Sequence, residues 1–344
     1  MNALSKIMKS QGYALLDGAT GTNLFAKGLT TGDAPELWNV DQPDKITQLH
    51  DEFIDAGSDI LLTNSFGGTS YRLKLHDAQD RVRELNQAAA QIARACADKA
   101  DRAIVVAGSM GPTGELFAPL GALDDESATA AFAAQAQALA EGGADILWIE
   151  TMSSIEEVTA AVKGAQTTNL PVYATMTFDT AGRTMMGLMP GDFAKQAQEL
   201  GLHGFGANCG IGPSELLDSV FGMTENIASD VNISLIAKGN CGIPSYVEGE
   251  IHYEGTAELM AIYAKLAYQA GARIIGGCCG TTASHIAAMK EALMQVVQDA
   301  PDRPATRQDA ADALGVPWDN IPPAPEGQNK SRTRRRRRGA GESK

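Results

Sequence analysis

The chain has little aromatic content, 6% of 344 residues. No apolar run reaches the roughly 18 residues a membrane helix needs. Met1 to Gln11 carry no apolar core of signal-peptide length, so a cytoplasmic protein with no membrane partner is expected. Cationic charge is scarce over most of the length. Residues 1–329 hold 20 Lys+Arg against 41 Asp+Glu, a net −21 within a chain whose formal charge is −14. An acidic body of this kind excludes a general nucleic-acid binder. Histidine is scarce too: none of the five (His50, His76, His203, His252, His285) falls in a strand-end motif. A metal-free Cys nucleophile would therefore lack its base. There is no C-x-x-C pair, and five cysteines are an odd number over a long chain. That is not a secreted disulfide framework; in a reducing cytosol they are thiols or metal ligands. No G-x-G-x-x-G follows the first apolar run, which counts against a dinucleotide-binding sheet.

What is present is concentrated at Gly276–Gly277–Cys278–Cys279–Gly280. Neighbours on a regular strand face opposite ways, so adjacent cysteines reach one ion only where the strand ends and the backbone turns. The flanking glycines permit that turn. Cys209 ends another apolar stretch, Gly206–Ala207–Asn208–Cys209–Gly210. Three thiolates at two strand ends suffice for a zinc with one open position. Buried, metal-free thiols or a strained disulfide between the adjacent pair are the alternatives.

Eight short apolar runs recur: Tyr13–Leu16, Asp59–Leu62, Ala103–Ala107, Ile146–Ile149, Val172–Met176, Gly204–Ala207, Ile233–Ala237 and Arg273–Gly277. Helical patterns lie between them. Lys45–Ala56 places Ile46, Leu49, Phe53 and Ile54 on one face; Ser153–Gln166 opens with Ser and carries Glu156 as a capping box. Repeated strand–helix alternation of this length predicts a closed parallel (β/α)8 TIM barrel, an α/β fold. Its chemistry belongs at the C-terminal strand ends. Asp17, Asn64, Ser109, Glu150, Asn208, Cys209, Asn240, Cys278 and Cys279 would then share one rim. Cys241 ends the seventh strand as a decoy ligand, and Cys96 is a packing residue. On that rim Glu150 is suited to an ammonium, or to capping the following helix. The amides of Gly18–Thr22 are suited to a carboxylate, and Asp17 to the same end or to ordering its own turn.

Thiolate-bound zinc is a weak Lewis acid toward carbonyls but holds a substrate thiol as thiolate. A free thiol is mostly protonated at pH 7. Alkyl transfer to that sulfur is the chemistry expected of such a site.

Asp17–Thr22, Thr63–Gly68, Gly108–Pro112, Gly206–Cys209 and Gly276–Thr282 together resemble the motifs of the homocysteine S-methyltransferase family, over roughly residues 10–298. The resemblance implies a (β/α)8 barrel, one Zn2+ on Cys209, Cys278 and Cys279, and homocysteine thiolate as fourth ligand. It implies that Asp17 with the Gly18 and Ala19 amides, Ser109 and Glu150 contact the amino-acid end. It also implies that Asn240 lies near the metal and fills the vacant position without substrate. The product would be methionine. The donor would be betaine, or methylcobalamin carried by a separate corrinoid protein. Thr63–Gly68 looks more like the cobalamin-dependent module. A betaine pocket would need aromatic groups, for which Trp38, Phe66, Tyr71, Trp148 and Phe178 are candidates. The alternatives are an S-methylmethionine-dependent enzyme or a non-catalytic zinc- or thiol-binding barrel.

The expected organisation is a barrel over 1–300, a C-terminal extension over 301–329 and an Arg-rich tail over 330–344. The extension is proline-rich, with one helical candidate at Thr306–Leu314 and Trp318 placed to pack on the barrel. The tail holds 8 of the 28 Lys+Arg; disorder is expected there, along with a role in solubility or in capturing an acidic carrier.

Overall fold

A computed structural model describes residues 2–227, 233–247 and 250–319. Ten strands occur among them. Eight build one parallel sheet: β1 (Ala14–Leu15), β2 (Ile60–Leu62), β3 (Val105–Met110), β4 (Ile146–Met152), β5 (Val172–Met176), β6 (Gly204–Cys209), β7 (Ser234–Gly239) and β10 (Ile274–Gly277). Their order is β1-β10-β7-β6-β5-β4-β3-β2. The ends meet: Leu16 bridges Ile60, Asp59 N donates to Leu15 O at 2.7 Å and Asp17 N to Ile60 O at 3.1 Å. The sheet therefore closes into the (β/α)8 barrel, with every strand near its expected place.

Alternation along the strands sorts side chains between two cores. Ala14, Leu16, Ile60, Leu62, Val105, Ala107, Ile146, Trp148 and Ile236 pack inside the barrel. Leu15, Leu61, Val106, Leu147, Ile149 and Ala237 face the helices. The tightest passage is at Gly206, where an added Cβ would overlap the Ile236 carbonyl of β7. Only glycine lets those strands approach so closely.

Three features depart from the sequence expectation. A helix over Ala3–Gln11, capped by Asn2 and ended by Gly12 in the left-handed region, inserts Leu4 and Ile7 into the barrel interior. It closes the end opposite the strand C-termini. A two-stranded antiparallel hairpin, β8 (Pro244–Val247) with β9 (Glu250–Tyr253), follows β7. The helix after β4 runs Ile155–Gln166 and is capped by Ser154, which accepts from Glu157 N. Glu157 does not reach back to the cap as a capping box requires. Its carboxylate instead accepts from Thr113 N and Oγ1.

Beyond residue 300, Thr306 caps a helix over Arg307–Leu314. Arg307 pairs with Asp218 and Glu225, and Trp318 Nε1 donates to Asp218 at 3.1 Å. The Arg-rich segment 330–344 lies outside the described residues. Among those described, no helix is long and apolar enough to cross a membrane.

Candidate metal centre

Inward-facing positions continue to the C-terminal rim. On β3, Val105 and Ala107 face in, and so does Ser109. On β4, Ile146 and Trp148 are followed by Glu150; on β7, Ile236 is followed by Lys238. Apolar layers thus give way to a polar layer where the strands end. Ser109 Oγ donates to Glu150 Oε1 at 2.6 Å. Lys238 Nζ stands 3.5 Å from Glu150 Oε2, with side chains only 4% and 7% exposed.

Above this layer the sulfurs of Cys209, Cys278 and Cys279 lie within 4.8 Å of one another, and those of Cys209 and Cys279 are 4.0 Å apart. Tetrahedral ligands at 2.3 Å from zinc would be about 3.8 Å apart, so the donor set fits. The backbone is arranged to achieve this. Cys209 has φ 59°, in the left-handed region, and Gly210 follows with φ 80°; such strain gathers at functional sites. Cys278 N donates to Gly239 O and Cys241 N to Cys279 O at 2.8 Å. The adjacent pair is thereby turned off the end of β10.

Protonation reflects the crowding. Hydrogen bonds from Cys209 and Cys279, with Lys238 nearby, hold Cys278 well below the ordinary thiol range. Cys209 is pushed up by its bond to Cys278. A divalent metal would replace those bonds and draw all three thiols into ionised form.

Asn208 orders the surroundings. Its Oδ1 accepts from Thr151 N at 2.8 Å and Thr175 Oγ1 at 2.7 Å. Its Nδ2 donates to Thr151 Oγ1 and reaches Cys278 Sγ at 3.9 Å. Asn240 bridges the two cysteine turns: Nδ2 donates to Gly210 O at 2.7 Å, and Oδ1 accepts from Cys279 N at 3.1 Å.

A cavity of about 540 Å³ opens over the sulfurs. Ala19, Ser109, Glu150 and the three cysteines line it; Asp17, Gly18 and Asn240 stand behind the wall. Asp17 Oδ2 accepts from Leu62 N at 2.8 Å, while Oδ1 is buried without a partner among the described residues. Burial pushes its carboxyl up to about 7 against the pull of Lys238. Ala19 N is engaged by Thr281 O at 3.1 Å, and a Cβ at Gly18 would meet that oxygen at 2.5 Å. Cys241 is buried, with its thiol donating to Gly255 O at 3.1 Å, outside the sulfur cluster. Cys96 is buried on the helix Val82–Lys99. Of the five expected aromatics, only Phe66 lines the cavity, joined by Phe25 and Tyr253. Trp148 lies in the barrel interior, stacked on Tyr173.

Sequence reading missed Lys238 and Tyr253. Lys238 was legible, because it shares the face of Ile236 two residues back. Tyr253 had no signal, since the hairpin that carries it was not foreseen.

Fold and site together define a parallel barrel with a cluster of three sulfurs at its mouth that could hold a metal ion. The family profile described as homocysteine S-methyltransferase matches residues 14–293, and the chain belongs to that family. Methionine synthase of Mycobacterium tuberculosis is 30% identical over 321 residues, 89% of this chain but 26% of that protein. The Mycobacterium leprae methionine synthase is 30% identical over 286 residues, 78% of this chain and 23% of its own length. The chain thus spans about a quarter of these curated relatives. The homocysteine methyltransferase MmuM from Escherichia coli in its oxidised form superposes with TM-score 0.70 at 26% identity, covering 85% of this chain and 99% of that one. Its metallated form gives 0.69 at 25%, covering 84% and 99%.

Proposed function

We propose that this chain transfers a methyl group to the sulfur of L-homocysteine, giving L-methionine, at a zinc held by Cys209, Cys278 and Cys279. The observation that carries the reading is the three-sulfur cluster opening directly onto the cavity that Ser109 and Glu150 also line. Bound there, zinc would supply a thiophilic centre that keeps the substrate sulfur deprotonated at neutral pH.

This chain's own residues do the rest. Asn208 orients Cys278, and Asn240 fixes the turns that present Cys209 and Cys279. Glu150, held from one side by Ser109, offers a carboxylate to the substrate ammonium. Asp17, behind the wall with one oxygen unpartnered, keeps an acceptor at the same end. Thr20, Gly21 and Thr22 line the cavity at a helix start suited to the substrate carboxylate. The substrate thiol gives its proton to solvent. Its sulfur then forms a bond to the methyl carbon as the donor–methyl bond breaks, and that bond's electron pair stays with the donor.

For the donor, we favour methylcobalamin presented by a separate corrinoid domain or protein. The support is the similarity to methionine synthases over 89% of the chain. Betaine is the second reading, favoured by Phe25, Phe66 and Tyr253 around the cavity. We assign residues 1–300 to the catalytic barrel and 301–329 to a C-terminal extension, whose described part is tied to Asp218 and Glu225 by Arg307 and Trp318. Residues 330–344 would be a basic arm for an acidic carrier. The test is purified, zinc-loaded protein with homocysteine and three donors in turn: methylcobalamin, betaine and S-methylmethionine. Methionine should form with methylcobalamin; absence of methionine with all three would overturn the assignment.

A further inference from the structure

A lysine buried in a parallel barrel costs several kcal/mol in lost hydration unless nearby anions compensate it. Lys238 is such a residue, with a side chain 4% exposed, and its position is set by the sheet. It lies on β7, the strand between the two that carry the cysteines. In register it stands beside Asn208 on β6 and Gly276 on β10, and the next pairs are Cys209 with Gly239 and Gly277 with Gly239. Adjacent strands are about 4.8 Å apart. The lysine therefore rises one layer beneath the sulfurs, facing in as Ile236 does, and it lines the same cavity. Its one ion-pair partner among the described residues is Glu150, at 3.5 Å. That distance is long for a charge-assisted hydrogen bond, so Glu150 is not held as tightly by Lys238 as by Ser109. The other acidic groups acting on the ammonium include Cys278 and Asp17. Burial pulls Lys238 toward the neutral form, but Cys278, Glu150 and Asp17 outweigh it. The other basic groups lining the cavity, Arg72 and His76, come from the segment after β2, three strands round the barrel from β7.

Zinc with three thiolates carries −1, and a fourth thiolate makes it −2. Glu150 stands beside that charge. A fixed cation one layer below favours the four-sulfur state over the three-sulfur state, because its attraction grows with the charge it faces. We propose that Lys238 is a positioning residue for the substrate thiolate: its buried ammonium balances the charge gained when a fourth sulfur joins the site. This rests on the homocysteine reading above. It also gives Glu150 two neighbours of different purpose: Ser109 orients it, and Lys238 offsets its charge.

The test uses zinc-loaded full-length protein and calorimetric titration with two thiols, L-homocysteine and 4-mercaptobutanoate, which lacks the ammonium that Glu150 would bind. Lys238→Met should keep one zinc per chain yet bind both thiols at least about tenfold more weakly, the scale expected when one buried charge is lost near another. Lys238→Arg should restore most of the affinity. Should Lys238→Met misfold because Glu150 is left unpaired, the double variant Glu150→Gln/Lys238→Met removes that strain, and it should bind 4-mercaptobutanoate about tenfold more weakly than Glu150→Gln alone, which has lost the same carboxylate. Wild-type affinity for 4-mercaptobutanoate in zinc-loaded Lys238→Met, or equal affinity in Glu150→Gln and the double variant, would overturn the proposal. Failure of the wild-type protein to bind homocysteine at all would instead remove the functional reading, and this inference with it.

Discussion

Residue identity at the rim decides what the cavity holds. Glu150 is the clearest case, because its roles separate by geometry. Capping of the next helix is excluded, since Ser154 does that. What remains is a buried carboxylate with one oxygen on Ser109 and the other 3.5 Å from Lys238. Glu150→Gln keeps the size and an acceptor for Ser109 but removes the charge. It should lower homocysteine affinity by about one to two decades, the value of a charge-assisted hydrogen bond of roughly 1.5–3 kcal/mol, with zinc content unchanged. Titration of the zinc-loaded variant checks this; unaltered affinity would remove Glu150 from the substrate site.

The strand is the scale at which the sequence was most informative. Apolar runs placed all eight barrel strands, because a strand buried on both faces reads as a continuous apolar segment. Strand-end residues then fell on one rim as a consequence of parallel topology. Parity along a strand could have gone further. Glu150 follows Trp148 by two and Lys238 follows Ile236 by two, so both had to point inward once the barrel was assumed. Asp17 shows where parity stops. It comes one residue after inward-facing Leu16, and its contact with Leu62 N depends on how the chain leaves β1. The hairpin Pro244–Tyr253 was illegible for a different reason. It is short and pairs only with itself, so it leaves no periodic signal of its own. The helix Ala3–Gln11 went unread because its task, plugging the barrel with Leu4 and Ile7, is set by tertiary structure.

Across the whole molecule, stability couples to pH through groups buried without compensation. His50, on the helix Pro43–Ala56, is fully buried, and neither ring nitrogen has a partner among the described residues. Burial lowers its pKa to about 4. A neutral histidine is thus favoured in the fold. Its contribution is complete above the unfolded value near 6.5 and is lost as pH falls from there toward 4. Between pH 7 and pH 5 the loss should be about 2 kcal/mol. His50→Leu should remove that part of the pH dependence; denaturant unfolding of both proteins at the two pH values measures the difference. An identical pH slope in the variant would show that His50 does not titrate as its burial requires.

The whole barrel exists, on this account, to bring three sulfurs together at a mouth wide enough to admit a fourth. Zinc-edge X-ray absorption of the metal-loaded protein, with and without L-homocysteine, reads that directly. Three sulfur neighbours at about 2.3 Å plus one lighter atom are expected before substrate, and four sulfurs afterwards. An unchanged sulfur count on adding homocysteine would contradict it.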